Sequence, residues 1–170
     1  MAAGVAVIMK LNLTDWTVES VAAQAGCAKG LVLYHFKSKA ALLDRIADRV
    51  RQQLGERQLA ALTEDPKGAQ ALDRLWAVLA ADVKAGSFGL WVGLMSDSRT
   101  RKAAARSPQE IDGLLQAAAL ALGVPKDSLA LPLIPAVLDG LSLELLQGNA
   151  PASVQERFDA FWLGVLSETG

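Results

Sequence analysis

Few residues of this chain could take part in catalysis. One cysteine, one histidine and one tyrosine occur among its 170 residues, and they are Cys27, His35 and Tyr34. All three fall in one short segment, which leaves no second segment to complete a nucleophile–base–acid arrangement. The sequence also lacks metal-ligand spacing, a phosphate-binding glycine-rich loop and a G-x-S-x-G motif. We therefore predict that the protein is not an enzyme and requires no cofactor.

Long hydrophobic runs are also missing from the sequence. No apolar stretch approaches the roughly 18 residues needed to cross a bilayer. The apolar residues 2–9 lack a basic leading region and a clear cleavage site, which argues against a signal peptide. A single cysteine excludes an intrachain disulfide and is typical of a reducing compartment. We expect a cytoplasmic protein that does not associate with a membrane.

The chain has almost no net charge, whereas apolar residues are abundant. The formal net charge is −1, with 52% apolar and 21% charged residues and a mean hydropathy of +0.26. Residues 17–51 include six basic and three acidic residues, which gives this segment a local net charge of +3. This excess suits either a limited phosphate-binding patch or a solvated helical surface. The apolar excess predicts surface that is buried by a partner subunit or around an apolar cavity.

Residues 17–43 have the pattern of two short helices joined by a tight turn. Thr17 is a suitable N-cap, and Gly26 can end the first helix in the left-handed conformation. A second helix is predicted over residues 29–35, and Ser38 can cap a third that begins at Lys39. Helices joined by a short glycine-containing turn are typical of the helix-turn-helix unit, whose second helix enters the DNA major groove.

The same segment resembles the N-terminal DNA-binding signature of the TetR family of bacterial transcriptional regulators. The pattern A-x-x-A-G-x-x-x-G-x-x-x-Y-H-F-x-S-K-x-x-L is matched by Ala22, Ala25, Gly26, Gly30, Tyr34, His35, Phe36, Ser38, Lys39 and Leu42. The resemblance covers about residues 5–50. It implies an all-α protein with a three-helix DNA-binding domain, predicted over residues 1–48, and a helical ligand-binding and dimerisation domain over residues 49–170.

Residues of the second short helix and its flanks are the candidates for DNA contact. Lysine can hydrogen-bond to guanine and leucine can touch a thymine methyl group, which favours Lys29 and Leu31 as base readers. Tyr34, His35 and Lys39 are better suited to phosphate. The full predicted set is Thr17, Ala28, Lys29, Leu31, Tyr34, His35, Lys37 and Lys39. Val32, Leu33 and Phe36 are interpreted as core, and a surface role is the alternative for His35.

Helical patterns continue through the rest of the chain. We predict helices over residues 39–62, 69–85 and 87–105, with Asp65 and Pro66 at the start of the second. Ser107 and Glu110 form a capping box for a helix ending at Gly123. Residues 129–147 are apolar almost all round and should be buried on every side. A further capping box at residues 153–156 predicts the last helix.

The last two helices are predicted to form an isologous dimer interface, with Ile134, Leu138 and Leu141 in contact with the partner subunit. The resemblance implies the same, because the last two long helices of that family pair into a four-helix bundle. It also implies an effector cavity, for which the candidates are Trp76, Phe88, Trp91, Met95, Phe158 and Trp162. Ordinary core packing is the alternative for these residues. Four acids could orient a ligand, namely Asp82, Asp97, Asp139 and Glu144.

Two functional hypotheses follow from these observations. The first is a homodimeric, ligand-responsive regulator, a repressor of palindromic operator DNA that is released by a small apolar or aromatic effector. The second is a small-molecule sensor or carrier with a degenerate DNA-binding head. Ala28 and Leu33 favour the second, because the family often has a hydroxyl residue and a tyrosine at these positions.

Overall fold

The computed structural model describes residues 1–65 and 67–167, and over this part the chain forms helices without strands. The predicted all-α fold is therefore confirmed. The helices, in chain order, are α1 (Ala2–Asp15), α2 (Val18–Gln24), α3 (Lys29–Phe36), α4 (Lys39–Thr63), α5 (Ala69–Lys84), α6 (Ser87–Ser96), α7 (Arg101–Ala104), α8 (Pro108–Leu122), α9 (Ile134–Leu146) and α10 (Pro151–Ser167). A 3₁₀ turn, Leu131–Leu133, precedes α9. No single helix of the described part is both long and apolar enough to cross a membrane.

The chain forms two compact units whose limits differ from the predicted domains. Unit 1 comprises residues 1–53 and 89–105, and unit 2 comprises residues 54–88 and 106–170. The predicted division at residues 48 and 49 follows the sequence order, but unit 1 also includes a segment from later in the chain. Helix α4 contributes its first part to unit 1 and the remainder to unit 2.

Unit 1 is organised around contacts of α1 and α3 with α2, and around the first part of α4. Helix α1 buries Gly4, Val7 and Ile8. A Cβ atom on Gly4 would lie 2.6 Å from Cδ1 of Ile46 on α4, so glycine permits this close approach of α1 to α4. Trp16, which follows α1, is fully buried. The packing of α1 against α2 and α4 thus depends on small and aromatic residues placed between helices.

Segment 89–105 is linked to the N-terminal residues of unit 1 by a hydrogen bond to the end of α7. Arg51 Nε on α4 donates to the carbonyl oxygen of Ala103 at 3.3 Å. Two further bonds lie within the segment: Trp91 Nε1 donates to the carbonyl oxygen of Ala104 at 2.9 Å, and the buried Thr100 hydroxyl donates to that of Leu94 at 2.7 Å. These bonds satisfy carbonyl groups at the ends of short helices, which otherwise have no partner.

Unit 2 has a continuous hydrophobic core. Helix α9 packs against α5 and α10, and α10 also packs against α5, while the 3₁₀ turn contacts α8 and α9. Its largest fully buried side chains include Leu75, Leu79, Leu138, Phe158 and Trp162. Helix α9 is buried through Ile134, Leu138 and Leu141 but exposes Leu143 and Leu146. The prediction that it is buried on every side is therefore wrong within the unit.

Three predicted helix limits differ from the structure. Helix α5 begins at Ala69 with Gly68 as its N-cap at φ 74°, so Asp65 is not the cap, and Pro66 lies outside the described residues. The predicted helix over residues 87–105 is broken between α6 and α7, where Asp97 accepts hydrogen bonds from the backbone and side chain of Arg99. Helix α10 begins at Pro151, two residues before the predicted capping serine.

The capping box of α8 is confirmed and offers a measurement of local stability. Ser107 accepts a hydrogen bond from the Glu110 amide, and the Glu110 carboxylate accepts one from the Ser107 amide at 2.8 Å. We expect Ser107→Ala to lower the free energy of unfolding by about 1 kcal/mol because it removes the N-cap acceptor. Urea denaturation followed by circular dichroism measures this loss. Ser153→Ala is the matched control, because Ser153 lies inside α10 and should change stability little; equal losses would contradict the capping role of Ser107.

Candidate nucleic-acid interface

The α2–turn–α3 segment has the local geometry that the sequence predicts. The Thr17 side chain accepts a hydrogen bond from the Ser20 amide at 3.0 Å, and the Ser20 hydroxyl in turn accepts one from the Thr17 amide. Gly26 has φ +65°, a left-handed conformation that glycine adopts without strain. Ala28 is the N-cap of α3 and supplies no side-chain hydrogen bond. Thr17 therefore has a structural role as a cap, and Ala28 leaves the first amide groups of α3 without a side-chain acceptor.

Helix α3 presents most of its surface to solvent. Val32 is its fully buried side chain, whereas Leu33 and Phe36 are half-buried. Leu31 is 48% exposed and Tyr34 is 70% exposed, unusual values for large hydrophobic side chains with no partner to cover them. An exposed helix with apolar and aromatic side chains is suited to contact base edges and sugars in a major groove.

Each lysine near α3 already has an interaction in the absence of DNA. Lys29 pairs with Glu19 on α2, and the hydrogen bond from Lys29 lowers the pKa of the Glu19 carboxyl below its ordinary value. Lys37 places Nζ 4.9 Å from the centre of the Tyr34 ring. Lys39 donates from Nζ to the carbonyl oxygen of Trp16 at 2.9 Å and lies over its ring. These contacts hold the three ammonium groups close to α3 and the start of α4.

Residues of α3 and of the preceding turn line a small apolar cavity in unit 1. His35 and Cys27 contribute to this space of 130 Å³, together with Gly4, Val21 and Leu31. Tyr34 and His35 are edge-to-face, with ring centroids 5.6 Å apart. The exposed His35 side chain is thus oriented by an aromatic neighbour, and Cys27 is half-buried in the turn.

The six predicted ligand-binding residues are divided between the two units. Trp91 and Met95 belong to unit 1, whereas Trp76, Phe88, Phe158 and Trp162 belong to unit 2. In unit 2, the Phe158 ring centroid lies 5.5 Å from that of Trp76 and 5.9 Å from that of Trp162. Phe158 and Trp162 are almost fully buried, and Trp162 also lines a cavity. The set is therefore not one cluster within a unit, because Trp91 is held by α7 through its hydrogen bond to Ala104.

All four acids that were predicted to orient a ligand are paired with arginine. Asp97 pairs with Arg99, whose hydrogen bonds lower the pKa of the aspartate to about 2. The Asp139 carboxylate accepts two hydrogen bonds from Arg106, at 2.5 and 2.8 Å. The remaining pairs are Glu144 with Arg157 and Asp82 with Arg57. The Arg106 side chain is largely buried by this pairing.

Asp82 is the most buried of these acids. Its Oδ1 accepts from Arg57 Nη2 at 2.7 Å, whereas Asp82 Oδ2, Arg57 Nε and the buried Gln58 Oε1 have no hydrogen-bond partner in the described part of the chain. Burial raises the pKa of Asp82 above its ordinary value despite the nearby guanidinium. Three unsatisfied polar atoms in the core of unit 2 are costly unless water or a ligand group completes them.

A cavity in unit 2 contains two acids that the sequence analysis did not select. This space of 280 Å³ is lined by residues at the start of α5, the end of α8 and the last part of α10, among them Leu72, Asp73, Leu122, Asp159 and Trp162. Asp159 precedes Trp162 by three positions on α10, so helical periodicity could have placed the carboxylate beside the indole. Asp73 offered no such signal, because its proximity to α10 depends on tertiary packing.

Comparison with known proteins agrees with this architecture. Residues 1–46 match the family model described as bacterial regulatory proteins, tetR family. A TetR-family transcriptional regulator from Rhodococcus sp. has a similar structure, with a TM-score of 0.73, 21% identity, and coverage of 97% of this chain and 95% of the other. No curated protein matches the chain in a sequence comparison.

Two further structures of similar fold contain small molecules. The multidrug binding protein EbrR complexed with imidazole has a TM-score of 0.62 and 20% identity, over 94% of this chain and 90% of the other. The transcriptional regulator FadR from Bacillus subtilis in complex with stearoyl-CoA has a TM-score of 0.60 and 19% identity, over 94% of both chains. At these identities the likeness shows the fold.

Fold and interface together define the class: an all-helical protein with an N-terminal helix-turn-helix segment and a second helical unit. The match over residues 1–46 places this N-terminal segment with the bacterial regulatory proteins of the tetR family. The resemblance stated from its motif residues is therefore confirmed.

Proposed function

We propose that the protein is a homodimeric repressor that binds a palindromic operator in the cytoplasm and is released by a small apolar or aromatic effector. The observation that carries this proposal is the exposed surface of α3. Leu31 and Tyr34 are exposed there, and Lys29, His35 and Lys37 surround them. We assign base contact to Lys29 and Leu31, and phosphate contact to Tyr34, His35, Lys37 and Lys39. Thr17 and Ala28 complete the interface at the starts of α2 and α3.

Binding of DNA requires that Lys29 exchange its partner. Its ammonium group is paired with Glu19, and both side chains are more than half exposed. An exposed ion pair contributes little to stability because water screens it. Its exchange for guanine O6 and N7 therefore costs little, and Glu19 keeps the lysine side chain near the position that α3 would present to a groove.

The proposed dimer uses exposed rather than buried residues of α9 and α10. Ile134, Leu138 and Leu141 are buried inside unit 2, which corrects their assignment to the interface. A set of exposed positions on these neighbouring helices is apolar or small and repeats at helical spacing. We call this set the dimer face: Leu133 immediately before α9, Ala136, Gly140 and Leu143 on α9, and Ala160, Leu163 and Gly164 on α10. Small residues permit close helix approach, and a second copy of the same face is the self-complementary partner of a twofold dimer.

Effector binding is supported by the second unit and by two proteins of similar fold. EbrR was solved with imidazole and FadR with stearoyl-CoA. An effector changes DNA affinity by binding one conformation of the protein more tightly than another. Helix α4 supplies residues to both units and is the element that we expect to differ between the two conformations.

Lys29→Ala is expected to weaken operator binding by roughly 10- to 100-fold, because it removes the free energy of one specific base contact. Lys39→Ala should instead weaken binding to all sequences and reduce the salt dependence by about one phosphate contact. Operator DNA is first selected from a random pool with the unmodified protein. Gel shifts over a series of salt concentrations then compare the variants.

Lys126→Ala is the control, because this exposed lysine lies in unit 2, far from α3 in sequence. The regulator proposal is contradicted if no DNA is selected at low salt, or if Lys29→Ala and Lys39→Ala both bind as the unmodified protein does. In that case the alternative becomes the better account: a small-molecule sensor or carrier with a degenerate head.

A further inference from the structure

The cavity at the start of α5 has two walls of different chemistry. Leu72, Leu122 and Leu166 provide apolar surface, and the nearly fully buried Trp162 provides an aromatic surface. Asp73 on α5 and Asp159 on α10 provide two exposed carboxylates. A concave, mostly apolar space with a few polar groups is typical of small-molecule sites.

Neither carboxylate has a counter-ion among the described residues. Asp73 and Asp159 form no hydrogen bond or ion pair with any residue that the structure describes, and they line the same cavity. This distinguishes them from Asp82, Asp97, Asp139 and Glu144, each of which is paired with an arginine. Two negative charges that share a cleft repel each other, and a cation between them relieves the repulsion.

The backbone adds to the negative charge of the cleft. Helix α8 ends at Leu122, which lines the cleft. Carbonyl groups at the end of a helix carry a partial negative charge, so this helix end favours a cation. The start of α5 acts in the opposite direction, but Asp73 lies in its second turn and offsets it.

A separate observation concerns the indole of Trp162. This side chain lines the cavity, yet its Nε1 is buried without a hydrogen-bond partner in the described residues. A buried indole N–H normally has a partner, so this wall of the cavity contains an unsatisfied donor. Its ring can also attract a cation through its negative face.

We propose that this cleft is the effector site and that it binds hydrophobic organic cations. The cation would lie between Asp73 and Asp159, and its apolar groups would contact Leu72, Leu122 and Trp162. The inference rests on the proposed function for its regulatory role, and it replaces the unspecified apolar or aromatic effector with a chemical class. Leu163 lines the cleft and also belongs to the dimer face. A ligand bound in the cleft would therefore lie next to the surface on which the proposed dimer depends.

The test uses two ions of nearly equal size and opposite charge. Isothermal titration calorimetry of the full chain without DNA should show binding of tetraphenylphosphonium and none of tetraphenylborate at the same concentrations. Replacement of both acids, Asp73→Asn with Asp159→Asn, should weaken the binding of the phosphonium ion about tenfold or more, because two nearby charges are removed.

A double variant of two acids outside the cavity is the control for net charge. Asp112→Asn with Glu156→Gln removes two exposed carboxylates of α8 and α10 that do not line the cavity, and it should leave phosphonium binding unchanged. Equal binding of both ions overturns the inference. Equal weakening by the two double variants also overturns it, because binding would then depend on overall charge alone.

Gel shifts with the phosphonium ion separate this inference from the proposed function. If the ion binds through Asp73 and Asp159 but leaves the DNA complex intact, the cleft is confirmed as a cation site and effector-controlled release fails. If the ion releases DNA from the unmodified protein and equally from the Asp73→Asn, Asp159→Asn variant, release is confirmed and the assignment of the cleft fails.

Discussion

Replacement of Leu143 by arginine is expected to convert the protein to a monomer that no longer shifts operator DNA. Leu143 lies on the dimer face of α9 and is 40% exposed within the chain, so the folded monomer can accommodate arginine there. In a twofold interface both copies carry the substitution, which places two positive charges in the apolar contact. Size-exclusion chromatography with light scattering measures the change of mass.

The loss of DNA affinity should be large because dimerisation links two weak half-site contacts. When one head binds, the other is held near its half-site at a high effective concentration, which raises the affinity by about 100- to 10,000-fold. A monomer loses this gain even though its recognition helix is unchanged. We therefore expect the Leu143→Arg variant to bind operator DNA at least about 100-fold more weakly.

Two further leucines make the result specific to the dimer face. Leu120 on α8 is 68% exposed but lies outside this face, so Leu120→Arg should remain dimeric and bind DNA. Leu138 is fully buried, so Leu138→Arg should unfold unit 2 because it buries an unpaired charge. A Leu143→Arg protein that stays dimeric and binds operator DNA would show that another surface forms the interface.

The recognition unit could be predicted because its signals are local. Thr17 caps α2 through a residue three positions away, and Gly26 adopts the left-handed conformation that its turn requires. Ser38 accepts a hydrogen bond from the Ala41 amide and caps α4. Each of these contacts joins residues close together in the sequence, so residue type and spacing carry the information.

The remaining structure depends on contacts between distant residues. Segment 89–105 is linked to the N-terminal residues through Arg51, whose acceptor at the end of α7 has no sequence signature. Helix α9 is apolar on all faces, so its periodicity could not distinguish Leu138, which is buried, from Leu143, which is exposed. Asp82 and Asp139 could be recognised as acids near apolar faces, but their arginine partners lie 25 or more positions away.

Phe158→Ala is expected to lower the free energy of unfolding by about 3–5 kcal/mol, a large share of the total stability of a domain. Phe158 is almost fully buried between Trp76 and Trp162, so truncation leaves a cavity that three helices must partly collapse to fill. Urea denaturation followed by circular dichroism and tryptophan fluorescence measures the loss in unit 2. Phe158→Leu keeps most of the volume and should cost less than about 1.5 kcal/mol.

The same variant decides between the two interpretations of the aromatic set. Phe161, which is half-buried and lies 5.0 Å from the Trp162 ring, is the control, and Phe161→Ala should cost clearly less than Phe158→Ala. A large loss of stability in Phe158→Ala identifies the Trp76–Phe158–Trp162 cluster as part of the core, which holds the wall residue Trp162 in place. If Phe158→Ala keeps the stability of the unmodified protein but loses phosphonium binding, the cluster is a ligand-binding surface, and the assignment of Phe158 to the core is wrong.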